Sequence, residues 1–163
     1  MSDAKIKSAE SLKAIIRRLK LQGKKTAFTN GCFDILHYGH IKYLEEAKKN
    51  ADILIVAVND DGSVTRLKGL ERPICPLKER MGVLAGLSSV DFVTSFSQDT
   101  PCDIIKYLRP DIILKGADYK IKEIAGAGFV KSYGGKVQRI RYLKGCSASG
   151  IIKRILARYG KLS

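Results

Sequence analysis

Apolar positions along the chain fall into helical stripes that alternate with short continuous runs. In SAESLKAIIRRLKLQG, Leu12, Ile15, Ile16 and Leu19 share one helical face, and Gly23 is the stop signal. KKTAFTNG reads as a short buried strand running into a turn. YGHIKYLEEAKKNA is amphipathic through Ile41, Leu44 and Ala47, which predicts a helix from about Tyr38. ADILIVAVND is a continuous apolar strand of the kind that parallel sheets bury on both faces. NDDGSVTRLKGLERPICP reads as a polar loop, and Pro76 opens a helix in PLKERMGVLAGLSS. VDFVTSF is a strand, and DTPCDIIKYLRP a short helix with Thr100 as N-cap and Pro101 in its first turn. DIILKG is a strand and EIAGAGFVKSYGG a Gly-interrupted helix; KVQRI is the last strand and SASGIIKRILARYG the last helix.

Strand and helix in alternation imply βαβ units, hence an α/β fold with a five-stranded parallel sheet and helices on both faces. Neither repeats nor linkers interrupt residues 1–163, so one domain is expected, with 1–23 a helix packed on it or flanking it. Ligands of such sheets bind beyond the carboxyl ends of the strands. The loops at that edge carry both histidines, several basic residues and most of the turn glycines. Cys32, Cys75, Cys102 and Cys146 are scattered without a CxxC, which suggests neither a disulfide framework nor a zinc site. No signal core or membrane span is visible, so the expected location is cytoplasmic and no membrane partner is expected.

Thirty Lys plus Arg against sixteen Asp plus Glu leave a net charge of +14, which attracts polyanions. The charge is spread along the chain rather than gathered in an arm, which favours a small phosphorylated ligand over stable nucleic-acid binding. The most informative stretch is TNGCFDILHYGHIKYL, where His37 and His40 flank Gly39 at the start of a helix. A helix N-terminus offers unpaired N–H groups to a phosphate, and two imidazoles add donors. A buried histidine pair fits the polar turn less well, and a metal site has no third ligand in view. There is no GxxxxGK[ST] and no nucleophile elbow, and GAGFV lacks the full dinucleotide fingerprint. Direct displacement at phosphorus, driven by positioning and charge stabilisation, suits what remains.

GCFDILHYGH resembles the HxGH motif of nucleotidyltransferases, and GCSAS resembles their second motif. From about Gly23 to Ile155 the chain resembles the bacterial heptose 1-phosphate adenylyltransferases, which RLKG, DTP and KGADY distinguish within the superfamily. That resemblance implies a Rossmann-like, doubly wound sheet and the transfer of AMP from ATP to D-glycero-D-manno-heptose 1-phosphate, with Mg²⁺ and pyrophosphate release, for the lipopolysaccharide core. His37 and His40 would then hold the triphosphate, and Lys68 would contact the sugar phosphate or the α-phosphate. Asn30, Gly31, Cys32, Phe33 and Gly39 would line the nucleotide pocket. Gly116, Asp118 and Tyr119 would border the adenosine, and Ser147 and Ser149 would serve the β- and γ-phosphates. Arg66 and Arg80 are further candidates for the substrate phosphate. Asp34 is expected to cap its turn or fix a histidine tautomer. Ala148 stands where the family commonly has Thr, which removes one hydroxyl. The resemblance also implies a homodimer and, since no kinase half lies in these residues, a separate heptose kinase upstream. A cytidylyltransferase acting on glycerol 3-phosphate, and a non-catalytic nucleotide- or nucleic-acid-binding module, are the alternatives.

Overall fold

The computed structural model describes residues 2–141 and 145–160. Five strands form one parallel sheet: β1 (Thr26–Gly31), β2 (Ile53–Asn59), β3 (Phe92–Phe96), β4 (Ile112–Gly116) and β5 (Lys136–Ile140). Their spatial order is β3-β2-β1-β4-β5. The chain therefore builds outward from β1 on one side, then crosses back to build on the other. The reversal falls between β1 and β4, and a ligand crevice is expected there.

Helices α1 (Ala9–Leu21), α5 (Cys102–Leu108) and α6 (Ala127–Ser132) cover one face; α2 (Tyr38–Lys48) and α4 (Leu77–Ala85) cover the other. The strands alternate between the two cores. Leu54, Val56 and Val58 of β2 pack with Leu44 of α2 and Leu84 of α4. Ile55 and Ala57 turn the other way, toward Leu12 and Ile16 of α1 and Ile105 of α5. Each fully buried Leu or Ile contributes about 1.5–3 kcal/mol relative to an exposed one, which is why a strand buried on both faces is apolar throughout. Strand starts are pinned by carboxylates. Asp111 accepts from the Thr26 amide and hydroxyl, both at 2.8 Å, and Asp91 accepts from the Leu54 amide at 2.6 Å.

Two local expectations are corrected. NDDGSVTRLKGLERPICP is not all loop, because Asp61–Lys68 forms helix α3, capped by the Asp60 carboxylate on the Ser63 amide at 2.7 Å. Arg66 and Lys68 thus sit in its last turn. Pro101, not Thr100, occupies the N-cap of α5, and no side chain caps that helix. The Gly-interrupted helix narrows to α6, preceded by a short 3₁₀ turn at Ile121–Glu123. α7 (Ala148–Tyr159) follows the Cys146–Ser147 turn. Tyr142, Leu143 and Lys144, in the loop RYLKGCSAS expected at the ligand edge, lie outside the described residues.

Candidate nucleotide-binding cleft

β1 delivers the chain to the carboxyl edge of the sheet, where Phe33 takes a left-handed backbone (φ 46°) and bends it toward α2. His37 is the N-cap of α2, and His40 lies in its first turn. The two imidazoles stack with centroids 3.9 Å apart and planes 21° from parallel, and Phe33 tilts against His40 at 5.2 Å. Gly39 makes this possible. A Cβ there would lie 3.1 Å from the His37 ring and 2.8 Å from the Cys146 Cβ. The spacing of the two histidines around a glycine is therefore a packing requirement: the first ring folds back over the helix start, and the Cys146 turn closes against it.

Both Nδ1 atoms and the Asn30 Oδ1 are buried without a hydrogen-bond partner. An unpaired buried polar atom costs about 1–3 kcal/mol, so three of them at one corner mark a place built for a polar ligand. Burial, and then the neighbouring His37, push the His40 pKa down to about 4; burial also lowers that of His37. Both rings are therefore neutral near pH 7, each with one N–H to donate.

A cleft of about 670 Å³ opens over this corner. Asn30, Gly31, Cys32 and Phe33 line it from the end of β1, and His37, Gly39 and His40 from the start of α2. Gly116, Asp118 and Tyr119 reach it from the end of β4, Ser147 and Ser149 from the start of α7, and Lys68 from α3. The Ser147 hydroxyl caps α7, accepting from the Gly150 amide at 3.0 Å. Ala148 lines the cleft beside it.

Two expected phosphate contacts are elsewhere. Arg66 lies outside the cleft lining, held by the Asp99 carboxylate at 2.7 Å and the Ser97 carbonyl at 2.6 Å. Arg80 is 2% exposed and donates to the carbonyls of Cys32 and Cys75 and to Asp61. With each of its three guanidinium nitrogens donating to protein and its side chain buried, it is a structural pin rather than a substrate contact. Asp34 does not fix a histidine tautomer. Its carboxylate binds Arg72 and accepts from the Ile74 and Cys75 amides at 2.8 and 2.9 Å, tying the 72–75 segment to the end of β1.

Two cleft residues escaped the sequence reading. Tyr43, on α2, pairs its hydroxyl with Thr29 of β1 at 2.8 Å, and burial pushes its pKa up to about 12. Lys115, at the end of β4, donates to the Asn30 carbonyl at 3.0 Å, and burial pushes its pKa down to about 8. The signal for Lys115 was present: a cation closing the apolar run of DIILKG, at the ligand edge of a strand.

A doubly wound sheet thus sets a stacked histidine pair, at the start of its first crossover helix, in one cleft with the Ser147-capped start of the last helix. Residues 28–154 match the family described as cytidylyltransferase-like, and the chain belongs to that family. It is 46% identical over 160 residues to the Bifunctional protein HldE of Geobacter metallireducens, a match spanning 98% of this chain and 33% of that protein. It is 47% identical over 157 residues to the protein of the same name from Pseudomonas aeruginosa LESB58, spanning 96% and 33%. The chain thus covers about a third of the length of these relatives. The crystal structure of a lipopolysaccharide core biosynthesis protein from Thermoplasma volcanium is similar at 33% identity and a TM-score of 0.62, covering 76% of this chain and 100% of that one. Pantoate-beta-alanine ligase from Francisella tularensis, at 15% identity and a TM-score of 0.58, covers 93% of this chain and 78% of its own and shares the fold alone.

Proposed function

We propose that the protein transfers AMP from ATP to D-glycero-D-manno-heptose 1-phosphate, giving ADP-heptose and pyrophosphate for the lipopolysaccharide core. The observation that carries this reading is the stacked, neutral His37–His40 pair, with unpartnered ring nitrogens at the start of α2, in the same cleft as Lys68 and Ser147. An oxygen of the sugar phosphate attacks the α-phosphorus in line. A new P–O bond forms, the bond to the β-phosphate bridging oxygen breaks, and its electron pair leaves with pyrophosphate. His37 and His40 donate to the oxygens on which charge grows, and the first-turn amides of α2 add the helix dipole. Lys68, exposed at the rim, receives the acceptor phosphate. Ser149 and the amides that open α7 receive the β- and γ-phosphates.

Mg²⁺ belongs to this reading as part of the nucleotide. It keeps much of its water and is held chiefly by phosphates plus one or two carboxylates. Of the cleft carboxylates, Asp34 and Asp99 are tied to arginines and Glu123 to Lys120, so Asp118 is the one that would hold the ion beside the phosphates. No described helix is long and apolar enough to cross a membrane. The reading takes the protein to work in the cytoplasm as a homodimer, on a heptose 1-phosphate that a kinase reaction supplies. The family description favours a second reading, cytidyl transfer to glycerol 3-phosphate.

Pyrophosphate release with ATP or CTP, against heptose 1-phosphate or glycerol 3-phosphate, separates the two readings. Turnover is expected with ATP and heptose 1-phosphate, falling about 10²–10³-fold in His37→Ala and in His40→Ala as each loses one transition-state donor. Preference for CTP, or wild-type rates in both variants, overturns the proposal. Light scattering of the same preparation tests the homodimer, and a monomer at assay concentration removes it.

A further inference from the structure

The point where the strand order reverses holds a cation, Lys115, that has no ion-pair partner among the described residues. β1 pairs with β4 only through Ala27 with Ile112 and Phe28 with Ile113; the two strands then run on to Gly31 and Gly116 without pairing with each other. Lys115 spans that gap, its Nζ donating to the Asn30 carbonyl oxygen at 3.0 Å. Toward it face the Cys32 thiol from the turn after β1, and the Asp118 carboxylate and Tyr119 ring from the turn after β4, the ring centroid 5.4 Å away. The imidazoles of His37 and His40 line the same cleft from α2. Among the described residues no carboxylate lies within 4.0 Å of its ammonium.

The other described cations of the cleft differ. Arg72 is bound by Asp34, and Lys68 is exposed at the rim, where water solvates it. Lys115 is partly buried, uses one of its three donors on a carbonyl, and has no carboxylate within ion-pair distance among the described residues, Asp118 acting on it only from further off. A buried charge left in that state is costly unless an anion completes it. Its position selects which anion. Gly116 and Asp118 continue from it along the β4 side of the cleft, and the histidine corner lies on the β1 side, so it stands where the two halves of a bound nucleotide join.

We infer that Lys115 grips the phosphoryl group undergoing transfer, and that binding ATP delivers a proton to it. The first half rests on the nucleotidyl-transfer reading above; the second is measurable without any acceptor. In the free protein, burial leaves Lys115 half-protonated at about pH 8. An oligophosphate brought against it restores the ammonium, because opposite charge favours the charged form.

The test is calorimetric titration of Mg-ATP at pH 8 in two buffers of different ionisation enthalpy, on wild type, Lys115→Met and Lys115→Arg. Wild type is expected to take up about half a proton more per ATP than either variant, since Met cannot titrate and Arg stays charged. Uptake by the histidines is common to all three and cancels in the difference. Lys115→Met is expected to bind ATP about 10–100-fold more weakly, the effect of losing one charged hydrogen bond. Equal proton uptake in wild type and Lys115→Arg overturns the inference, and so does unchanged ATP affinity in a folded Lys115→Met. Should the methionine variant fail to fold, the arginine comparison decides alone. Proton-linked ATP binding without ADP-heptose formation upholds Lys115 and sinks the acceptor assignment; ADP-heptose formation at an unchanged rate in Lys115→Met does the reverse.

Discussion

A histidine proposed to meet phosphate is usually imagined as a cation, yet the fold holds His37 and His40 neutral. Two imidazolium rings stacked at 3.9 Å would repel each other, and the buried surroundings penalise charge further. In the proposed reaction the neutral form is the useful one: a neutral ring is a donor that does not have to shed a counter-ion before meeting a nucleotide. The arrangement also leaves a signature in stability. An unfolded histidine titrates near 6.5, whereas folded His40 is held at about 4. Between those values the unfolded chain binds a proton that folded His40 refuses, so stability is lost as the pH falls through that window. The melting temperature should therefore drop on going from pH 7 to about pH 4.5, and His40→Gln should soften the drop. Carboxylates titrate in both proteins and cancel, so parallel pH profiles would show that His40 is not held neutral.

Elements of the fold were legible wherever the apolar period was long. β2 is recognisable because ILIVAV must be apolar to be buried on both faces, and α1 because Leu12 and Ile16 fall on one stripe. α3 was not legible. It has eight residues, begins Asp-Gly-Ser and buries only Ser63 and Val64, so its composition is that of a turn and tertiary contacts supply its stability. The same reason hid the role of Arg80, which depends on α3: one of its partners, Asp61, begins a helix the sequence did not announce. His37 and His40 were legible because their spacing is itself the packing rule imposed by Gly39. Lys115 was legible only as a cation closing the DIILKG run at the ligand edge; its setting comes from a gap between strands that are far apart in sequence. Arg80 gives the test at this scale. Arg80→Met strands the carbonyls of Cys32 and Cys75 and releases Asp61, at a cost of about 2–4 kcal/mol with the half-exposed carboxylate discounted. For a chain of this size that lowers the melting temperature by about 5–10 °C. If Arg80 instead touches substrate, the variant melts like wild type and shows a raised KM.

At the scale of the whole molecule the +14 charge has two possible uses, and they separate cleanly with salt. As a collecting field it raises the encounter rate of polyanionic ATP, an effect screened over about 10 Å at 0.1 M salt. Contacts inside the cleft, among them those of the buried histidine corner, are screened much less. kcat/KM should consequently fall several-fold between low salt and about 0.3 M, while kcat barely changes. A nucleic-acid-binding module behaves differently: its affinity for RNA falls steeply and linearly with the logarithm of salt, and persists in the tight range at physiological strength only if many phosphates are contacted at once. The described cations near the cleft do not form such a track. Arg66, Arg72 and Arg80 are each spoken for by Asp99, Asp34 and Asp61, which leaves Lys68 and Lys115 facing one small cavity rather than a stripe. Retention of labelled RNA at 0.15 M salt, together with salt-independent kcat/KM for ATP, would assign the charge to nucleic acid. The pairing of the other arginines argues that it serves the nucleotide instead.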